Sequence, residues 1–153
     1  MNTNIGIKEG EALVILYVED DMAHAEISKR NFEKSRILNK IIHVTDGQQA
    51  LDYIFRQGEY ANPENSPRPH LILLDLRLPK VDGLEVLEIV RSNDEFKTIP
   101  VVILTTSNAE SDIARAYDNS VNSYLVKPLD FTKFSDLLDT FGFYWLAWNK
   151  YPT

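Results

Sequence analysis

Carboxylates, hydroxyls and a lysine stand directly after four short apolar runs of this 153-residue chain. The chain has five such runs. The residues are Glu19–Asp20–Asp21 after the first run, Asp75 after the third, Thr105–Thr106–Ser107 after the fourth and Lys127–Pro128 after the fifth. An oxygen-only group of this kind suits Mg²⁺, which prefers carboxylate, carbonyl and water ligands. If the runs are parallel strands, these side chains meet at the sheet edge where such folds carry their chemistry.

Asp75 is the best placed nucleophile of this group, because it ends a central apolar strand that would hold it rigidly. The negative charges of Glu19, Asp20 and Asp75 would be balanced by Mg²⁺ together with Lys127. A carboxylate beside two cations can attack phosphorus, since the cations neutralise the incoming oxygens, and aspartate forms acyl phosphates. A single Asp at a strand end is more often a helix cap or turn residue, so the prediction depends on the joint pattern.

The apolar runs alternate with helical patterns, which predicts an α/β layer fold. The predicted strands are Leu13–Val18, Lys40–Val44, Leu71–Leu74, Val101–Leu104 and Ser123–Val126. The second and fifth runs are mixed and suit sheet edges, whereas the other three are continuously apolar and suit central positions. The predicted helices are Ala23–Phe32, Gln48–Arg56, Leu84–Val90, Ile113–Tyr117 and a last helix from the cap Asp130 to Trp148.

Length and composition predict one domain over residues 1–153, with a core of about residues 12–149 and a flexible N-terminal tail over 1–10. The segment Gly58–Pro69 is predicted to be a loop, because it contains three prolines and a glycine, although it is long for a connection.

The net charge of −7 argues against a nucleic-acid groove and against an anionic membrane surface. The absence of cysteine excludes disulfides and thiolate chemistry. The N-terminus lacks the apolar core of a signal peptide, and no apolar run is long enough to span a bilayer. A soluble, cytoplasmic protein is therefore expected.

As a set, the motifs resemble the receiver domains of bacterial two-component response regulators, from about Leu13 to Trp148. The resemblance depends on Val18–Asp21, Leu73–Gly83, Thr105–Thr106 and Tyr124–Pro128. It implies a flavodoxin-like, doubly wound, five-stranded parallel sheet in the order 2-1-3-4-5 with five helices. It also implies a signalling protein that accepts a phosphoryl group on Asp75 and catalyses only its own phosphorylation and dephosphorylation.

The resemblance implies a Mg²⁺ site. Asp20 and Asp75 would ligate the ion through carboxylates, the Arg77 backbone carbonyl would be a further protein ligand, and Glu19 would hold a metal-bound water.

The resemblance further implies an element that responds to phosphorylation. Lys127 would pair with the phosphoryl oxygens, aimed inward by a cis bond to Pro128. Thr105 would follow the phosphoryl group with its hydroxyl, and Tyr124 would swing inward behind it.

The chain more closely resembles the small response regulators paired with cyanobacterial and bacterial phytochromes. The features that carry this closer resemblance are the loop Gly58–Pro69, the Thr105–Thr106 doublet and the aromatic-rich tail. This closer resemblance implies a light-sensing histidine kinase as phosphodonor, although other kinases use similar regulators. Since only one helix follows Pro128, output is expected through contact with a downstream protein, or the chain is a phosphorelay intermediate or phosphate sink.

Several features have two interpretations. Phe141, Trp145 and Trp148 lie on the apolar stripe of the last helix and are interpreted as capping the core, whereas Phe143, Tyr144 and Leu146 lie off it and are interpreted as a homodimer interface. Arg77 either overhangs the phosphoryl site or pairs with a nearby acid at the surface. The histidines are interpreted as structural, and a metal role for His24 is not favoured.

Two rival functions use similar residues. A phosphohydrolase with an Asp nucleophile typically has a second Asp two positions later, where this chain has Arg77. A pseudo-receiver would have lost phosphorylation, but Asp20, Asp75, Thr105 and Lys127 are all present.

Overall fold

The computed structural model of the protein describes residues 12–34, 39–142, 144–145 and 150. The strands are β1 (Leu13–Val18), β2 (Asn39–Val44), β3 (Leu71–Leu74), β4 (Val101–Thr105) and β5 (Ser123–Val126). The helices are α1 (Met22–Glu33), α2 (Gly47–Phe55), α3 (Gly83–Ser92), α4 (Glu110–Asp118) and α5 (Phe131–Gly142).

The strands form one parallel sheet in the order β2-β1-β3-β4-β5. This confirms the predicted α/β fold, its strand order and the edge positions of the two mixed strands. The continuously apolar strands β1, β3 and β4 are buried along their whole length, as expected for strands with neighbours on both sides and helices on both faces.

Each central strand supplies two hydrophobic cores, because successive side chains point to opposite faces of the sheet. Ile15 and Leu73 pack with side chains of α1 and α5 on one face. Leu16 and Leu74 pack with side chains of α2, α3 and α4 on the other face. The sheet is thereby clamped between helices, so that the ends of its strands hold fixed positions.

The helix boundaries differ most from prediction at α4 and α5. α4 begins at Glu110, three residues before the predicted start. The prediction missed this first turn because only Ala116 of the helix is buried, so that its apolar pattern is weak. Asp130 caps α5 as predicted, since its Oδ1 accepts a hydrogen bond of 3.0 Å from the Lys133 amide. α5 ends at Gly142, and residues 146–149 lie outside the described residues, as does the predicted tail.

The segment between α2 and β3 is a loop that opens with a short 3₁₀ turn, Gly58–Tyr60. Its buried Ser66 hydroxyl lies 2.8 Å from the carbonyl oxygens of Tyr60 and Asn62. The Tyr53 hydroxyl donates to the Pro67 carbonyl, which ties the loop to α2. Hydrogen bonds of this kind hold the loop although it has little regular structure.

Candidate functional site

The ends of four strands bring their polar residues together at one edge of the sheet, as the sequence predicted. β1, β3 and β4 are neighbours, so the residues that follow them lie side by side. Glu19, Asp75, Thr105 and Lys127 are buried, whereas Asp20 is exposed. The site therefore consists of a buried charged floor with one carboxylate at its open side.

Lys127 lies at the centre of this edge. Its Nζ is 2.5 Å from Glu19 Oε1 and 2.9 Å from Asp75 Oδ2, and the residue is only 3% exposed. Burial alone would lower the pKa of Lys127, but the charges of Asp75 and Glu19 raise it above its ordinary value. The lysine is therefore a buried ammonium held between two acids.

The cis bond predicted between Lys127 and Pro128 is wrong, since no peptide bond among the described residues is cis. The lysine needs no cis bond to point into the site. The Lys127 amide donates a hydrogen bond of 2.6 Å to the Thr105 carbonyl, so the lysine continues the pairing of β4 with β5. From that position its side chain reaches both acids with a trans bond to Pro128.

Asp75 is held by hydrogen bonds on both carboxylate oxygens. Its Oδ1 accepts from the Leu76 amide at 2.7 Å and from the Arg77 amide at 3.4 Å, and its Oδ2 accepts from Lys127. Burial raises the pKa of Asp75, but Lys127 and the Thr105 hydroxyl are among the groups that bring it below its ordinary value. Asp75 is therefore an ionised carboxylate in a buried place, as a nucleophile requires.

The pKa of Glu19 is shifted in the opposite direction to that of Asp75. Burial and the negative charge of Asp75 raise the pKa of Glu19 well above its ordinary value, although Lys127 opposes this effect. One lysine thus does not compensate the negative charge that the buried acids would carry when both are ionised. The excess favours binding of a further cation.

The carboxylates fit a divalent metal ion. Glu19, Asp20 and Asp75 each offer an oxygen, and these oxygens lie within 4.8 Å of one another. A donor set of carboxylate oxygens, without nitrogen or sulfur, matches the preference of Mg²⁺.

Gly83 allows the backbone to pass close to Asp75. A Cβ atom at position 83 would lie 2.1 Å from the Asp75 carbonyl oxygen, closer than any real contact. The Gly83 amide donates to the Leu76 carbonyl, which closes the turn between β3 and α3. Asp75 is therefore braced by the start of α3, and the glycine is required by this close approach.

Thr105 and Tyr124, the two residues of the predicted switch, lie on the neighbouring strands β4 and β5. Thr105 is fully buried beside Asp75 at the end of β4. Tyr124 is half-buried on β5, and its hydroxyl donates a hydrogen bond of 2.8 Å to the Ser107 carbonyl in the β4–α4 loop. The tyrosine therefore contacts the loop that follows Thr105.

Arg77 pairs with an acid, as one of its two interpretations predicted. Its Nη2 lies 2.5 Å from Asp112 Oδ2 on α4, and 65% of its side chain is exposed. The Ser107 hydroxyl donates to the same carboxylate oxygen at 2.6 Å. Asp112 was not recognised from the sequence, because its weakly apolar helix gave no sign of which face meets the site.

The histidines form structural contacts, and one of them touches the site. His70 Nδ1 accepts from the Val14 amide at 2.9 Å, and a ring nitrogen of His43 lies 2.8 Å from the Glu19 carbonyl oxygen. His24 Nδ1 lies 3.0 Å from Lys127 Nζ, a contact that sequence reasoning missed. Its position in the first turn after the acidic residues was the only available signal.

The proposed interface is described only in part. Tyr144 is 53% exposed, and its ring meets that of the buried Trp145 edge-on. Phe143 and Leu146 lie outside the residues whose side chains are described.

No helix within the described ranges is long and apolar enough to cross a membrane.

Comparison with known protein families gives a match that covers most of the chain. The profile of the response regulator receiver domain matches residues 15–139. The probable methanogenesis regulatory protein FilR2 of Methanothrix harundinacea is 42% identical over 154 residues, which cover 96% of each chain. Response regulator Rcp1 of Synechocystis sp. is 43% identical over 139 residues, covering 91% of this chain and 92% of Rcp1.

Solved structures of response regulators also superpose on this chain. The Mn²⁺-bound form of Rcp1 superposes with a TM-score of 0.87 and 41% identity, covering 92% of this chain and 99% of the other. The phosphorylated cyanobacterial phytochrome response regulator RcpA superposes with a TM-score of 0.88 and 37% identity, covering 94% and 100%. Both coverages extend over nearly the whole length of the compared proteins.

Proposed function

The chain belongs to the response regulator receiver domain family, and from this premise we propose that it accepts a phosphoryl group on Asp75 from a sensor histidine kinase. The observation that carries the proposal is the contact of the buried Lys127 ammonium with both Glu19 and Asp75. An ionised carboxylate, a cation beside it and an open acidic corner together provide what phosphoryl transfer to aspartate needs.

Mg²⁺ is the proposed cofactor. Asp20 and Asp75 would hold the ion through their carboxylates, the Arg77 backbone carbonyl would be a further ligand, and Glu19 would hold a metal-bound water. When bound, the ion neutralises charge on the transferred phosphoryl oxygens. The lengths and positions of Asp20 and Glu19 suit these two roles, since Asp20 is exposed at the open side and Glu19 is buried behind it.

The transfer itself requires little rearrangement of the protein. An oxygen of Asp75 forms a bond to phosphorus while the phosphorus–nitrogen bond of the donor phosphohistidine breaks, and the leaving imidazole takes up a proton from solvent. Lys127 stabilises the negative oxygens of the phosphoryl group by charge. Hydrolysis reverses the modification when water attacks the same phosphorus and Asp75 leaves as a carboxylate.

The expected signal is a change at the β4–α4 loop. The Thr105 hydroxyl would follow the phosphoryl group, and Tyr124 would give up its hydrogen bond to the Ser107 carbonyl and turn inward. The surface formed by α4, β5 and α5 would then present a changed face to a downstream protein. Tyr117 and Val126 are exposed on that surface, at 54% and 40%.

Incubation with acetyl phosphate and Mg²⁺ tests the proposed function. Intact-protein mass spectrometry should show the addition of one phosphoryl group to the wild-type protein and none to Asp75→Asn. A phosphohydrolase would instead consume the donor catalytically, and a pseudo-receiver would show no mass shift. Either of those results would exclude the proposal.

A phytochrome-type histidine kinase is the proposed phosphodonor, and a cytoplasmic location fits this role. The support is the likeness to RcpA, whose name describes it as a phytochrome response regulator, over 94% of this chain. A phosphotransfer profile against the histidine kinases of the source organism would identify the donor by its rate.

Homodimerisation through the C-terminal aromatic end is proposed as a further property. Phe143, Tyr144 and Leu146 would form the contact, and the exposure of Tyr144 supports it. Sedimentation that remains monomeric at high micromolar concentration, with and without phosphorylation, would exclude such a dimer.

Arg77→Asn is expected to change the lifetime of the acyl phosphate at least several-fold if the Arg77 side chain leaves Asp112 and crowds the water that attacks the phosphoryl group. Decay of the phosphorylated protein, followed by mass spectrometry after donor removal, measures this lifetime. Arg30→Asn is the matched control, since Arg30 also forms an exposed ion pair, with Glu26, but lies on the third turn of α1. Identical decay of wild-type and Arg77→Asn proteins would contradict the prediction.

A further inference from the structure

The Lys127 ammonium has one acceptor for each of its N–H groups. The acceptors are Glu19 Oε1 at 2.5 Å, Asp75 Oδ2 at 2.9 Å and His24 Nδ1 at 3.0 Å. Glu19 and Asp75 belong to the carboxylate cluster, whereas His24 comes from the first turn of α1 and is outside it. The histidine is thus the third anchor of the lysine.

The His24 ring is held in place from two sides. It meets the ring of Phe134 edge-on at 5.4 Å and that of Phe131 at 6.5 Å, both on α5. Its backbone amide donates to Asp21, the N-terminal cap of α1, at 3.1 Å. Burial and the neighbouring Lys127 lower the pKa of His24, which keeps the ring neutral. Nδ1 lies 3.6 Å from Asp21 Oδ2 but only 3.0 Å from Lys127 Nζ, and since an ammonium can only donate, Nδ1 is the acceptor of that hydrogen bond.

We propose that His24 is a positioning residue for phosphorylation, one that fixes the Lys127 ammonium against Asp75 by accepting its third hydrogen bond. This inference rests on the proposed function of Asp75. A neutral acceptor suits this role, because it directs the ammonium without cancelling the positive charge that the phosphoryl oxygens need. A carboxylate in its place would compete with the phosphoryl group for the lysine.

Three substitutions separate positioning from packing. His24→Asn keeps an acceptor at the position of Nδ1, because Asn Oδ1 is the same number of bonds from the backbone, but it loses the ring contacts with Phe131 and Phe134. His24→Leu keeps an apolar side chain against these rings but has no acceptor. His24→Met repeats the second test with a more adaptable side chain.

The measurement is the rate of phosphorylation of each variant by acetyl phosphate at saturating Mg²⁺, corrected for the folded fraction from thermal unfolding. His24→Leu and His24→Met should be slower by about tenfold, the lower end of the effect of one lost hydrogen bond to a charged group. His24→Asn should stay within about twofold of wild type, since such a bond is retained. Slowing of His24→Asn to the level of His24→Leu, or wild-type rates in His24→Leu and His24→Met, would overturn the inference.

A second measurement tests whether His24 acts through the lysine. In a Lys127→Ala background, His24→Leu should cause no additional slowing, and additional slowing would again overturn the inference. Failure of the proposed function is distinguishable, because in that case the wild-type protein itself would take up no phosphoryl group. Failure of the inference alone leaves wild-type phosphorylation intact.

Discussion

Replacement of Lys127 by alanine is expected to slow phosphorylation of Asp75 by roughly 100-fold and to destabilise the metal-free protein by about 3 kcal/mol. The rate falls because the lysine is the one buried cation between Glu19 and Asp75 in the described part of the chain. The stability falls because these two acids then face each other in a buried place. Acetyl phosphate labelling and urea unfolding at neutral pH measure the two effects.

Lys80→Ala is the matched control for Lys127→Ala. Lys80 lies between β3 and α3 at the same edge of the sheet, but it is largely exposed and 3.6 Å from its partner Asp46. Its removal should change the unfolding free energy by less than about 1 kcal/mol, as for surface ion pairs. Equal effects of the two substitutions would mean that Lys127 does not have the central role assigned to it.

Asp20→Asn is expected to abolish the stabilisation of the protein by Mg²⁺. If Asp20 is a ligand, a Mg²⁺ concentration about 100 times the dissociation constant should stabilise the wild-type protein by about 2.7 kcal/mol. The variant should fold normally, because Asp20 is exposed and its replacement removes one negative charge from a crowded acidic site. Thermal unfolding with and without MgCl₂ measures the difference.

Asp21→Asn provides the control at the next position. Asp21 caps α1 by accepting from the His24 amide, and asparagine is about as good a cap. Its Mg²⁺-dependent stabilisation should therefore equal that of the wild type. A Mg²⁺ shift that persists in Asp20→Asn would exclude this carboxylate as a ligand.

The fold and the central residues of the site were predictable because both follow from local patterns. Three runs without a polar residue indicated strands buried on both faces, and the mixed runs indicated the edges, which the strand order confirms. Asp75 and Lys127 are 52 residues apart in the chain, yet each directly follows a strand end. Once the strands are parallel, geometry requires these ends to meet.

The surroundings of Lys127 could be predicted from local sequence patterns only in part. The sequence predicted the pairing of Lys127 with the acidic site but not the trans bond to Pro128. It placed His24 close to the acidic residues but did not identify it as the partner of Lys127, since that contact depends on how α1 docks beside α5.

The partner of Arg77, at the surface, could not be predicted from the sequence either. Its two interpretations could not be separated from the sequence, and only the docking of α4 brought Asp112 to its guanidinium.

The sequence by itself thus determined the layered fold, the edge at which chemistry occurs and the carboxylates and lysine that meet there. These features follow from the periodicity of apolar residues and from what stands at the end of each strand. Only the tertiary structure decided which side chains of different helices touch that site, because such contacts depend on helix docking and rotamers that no local pattern encodes.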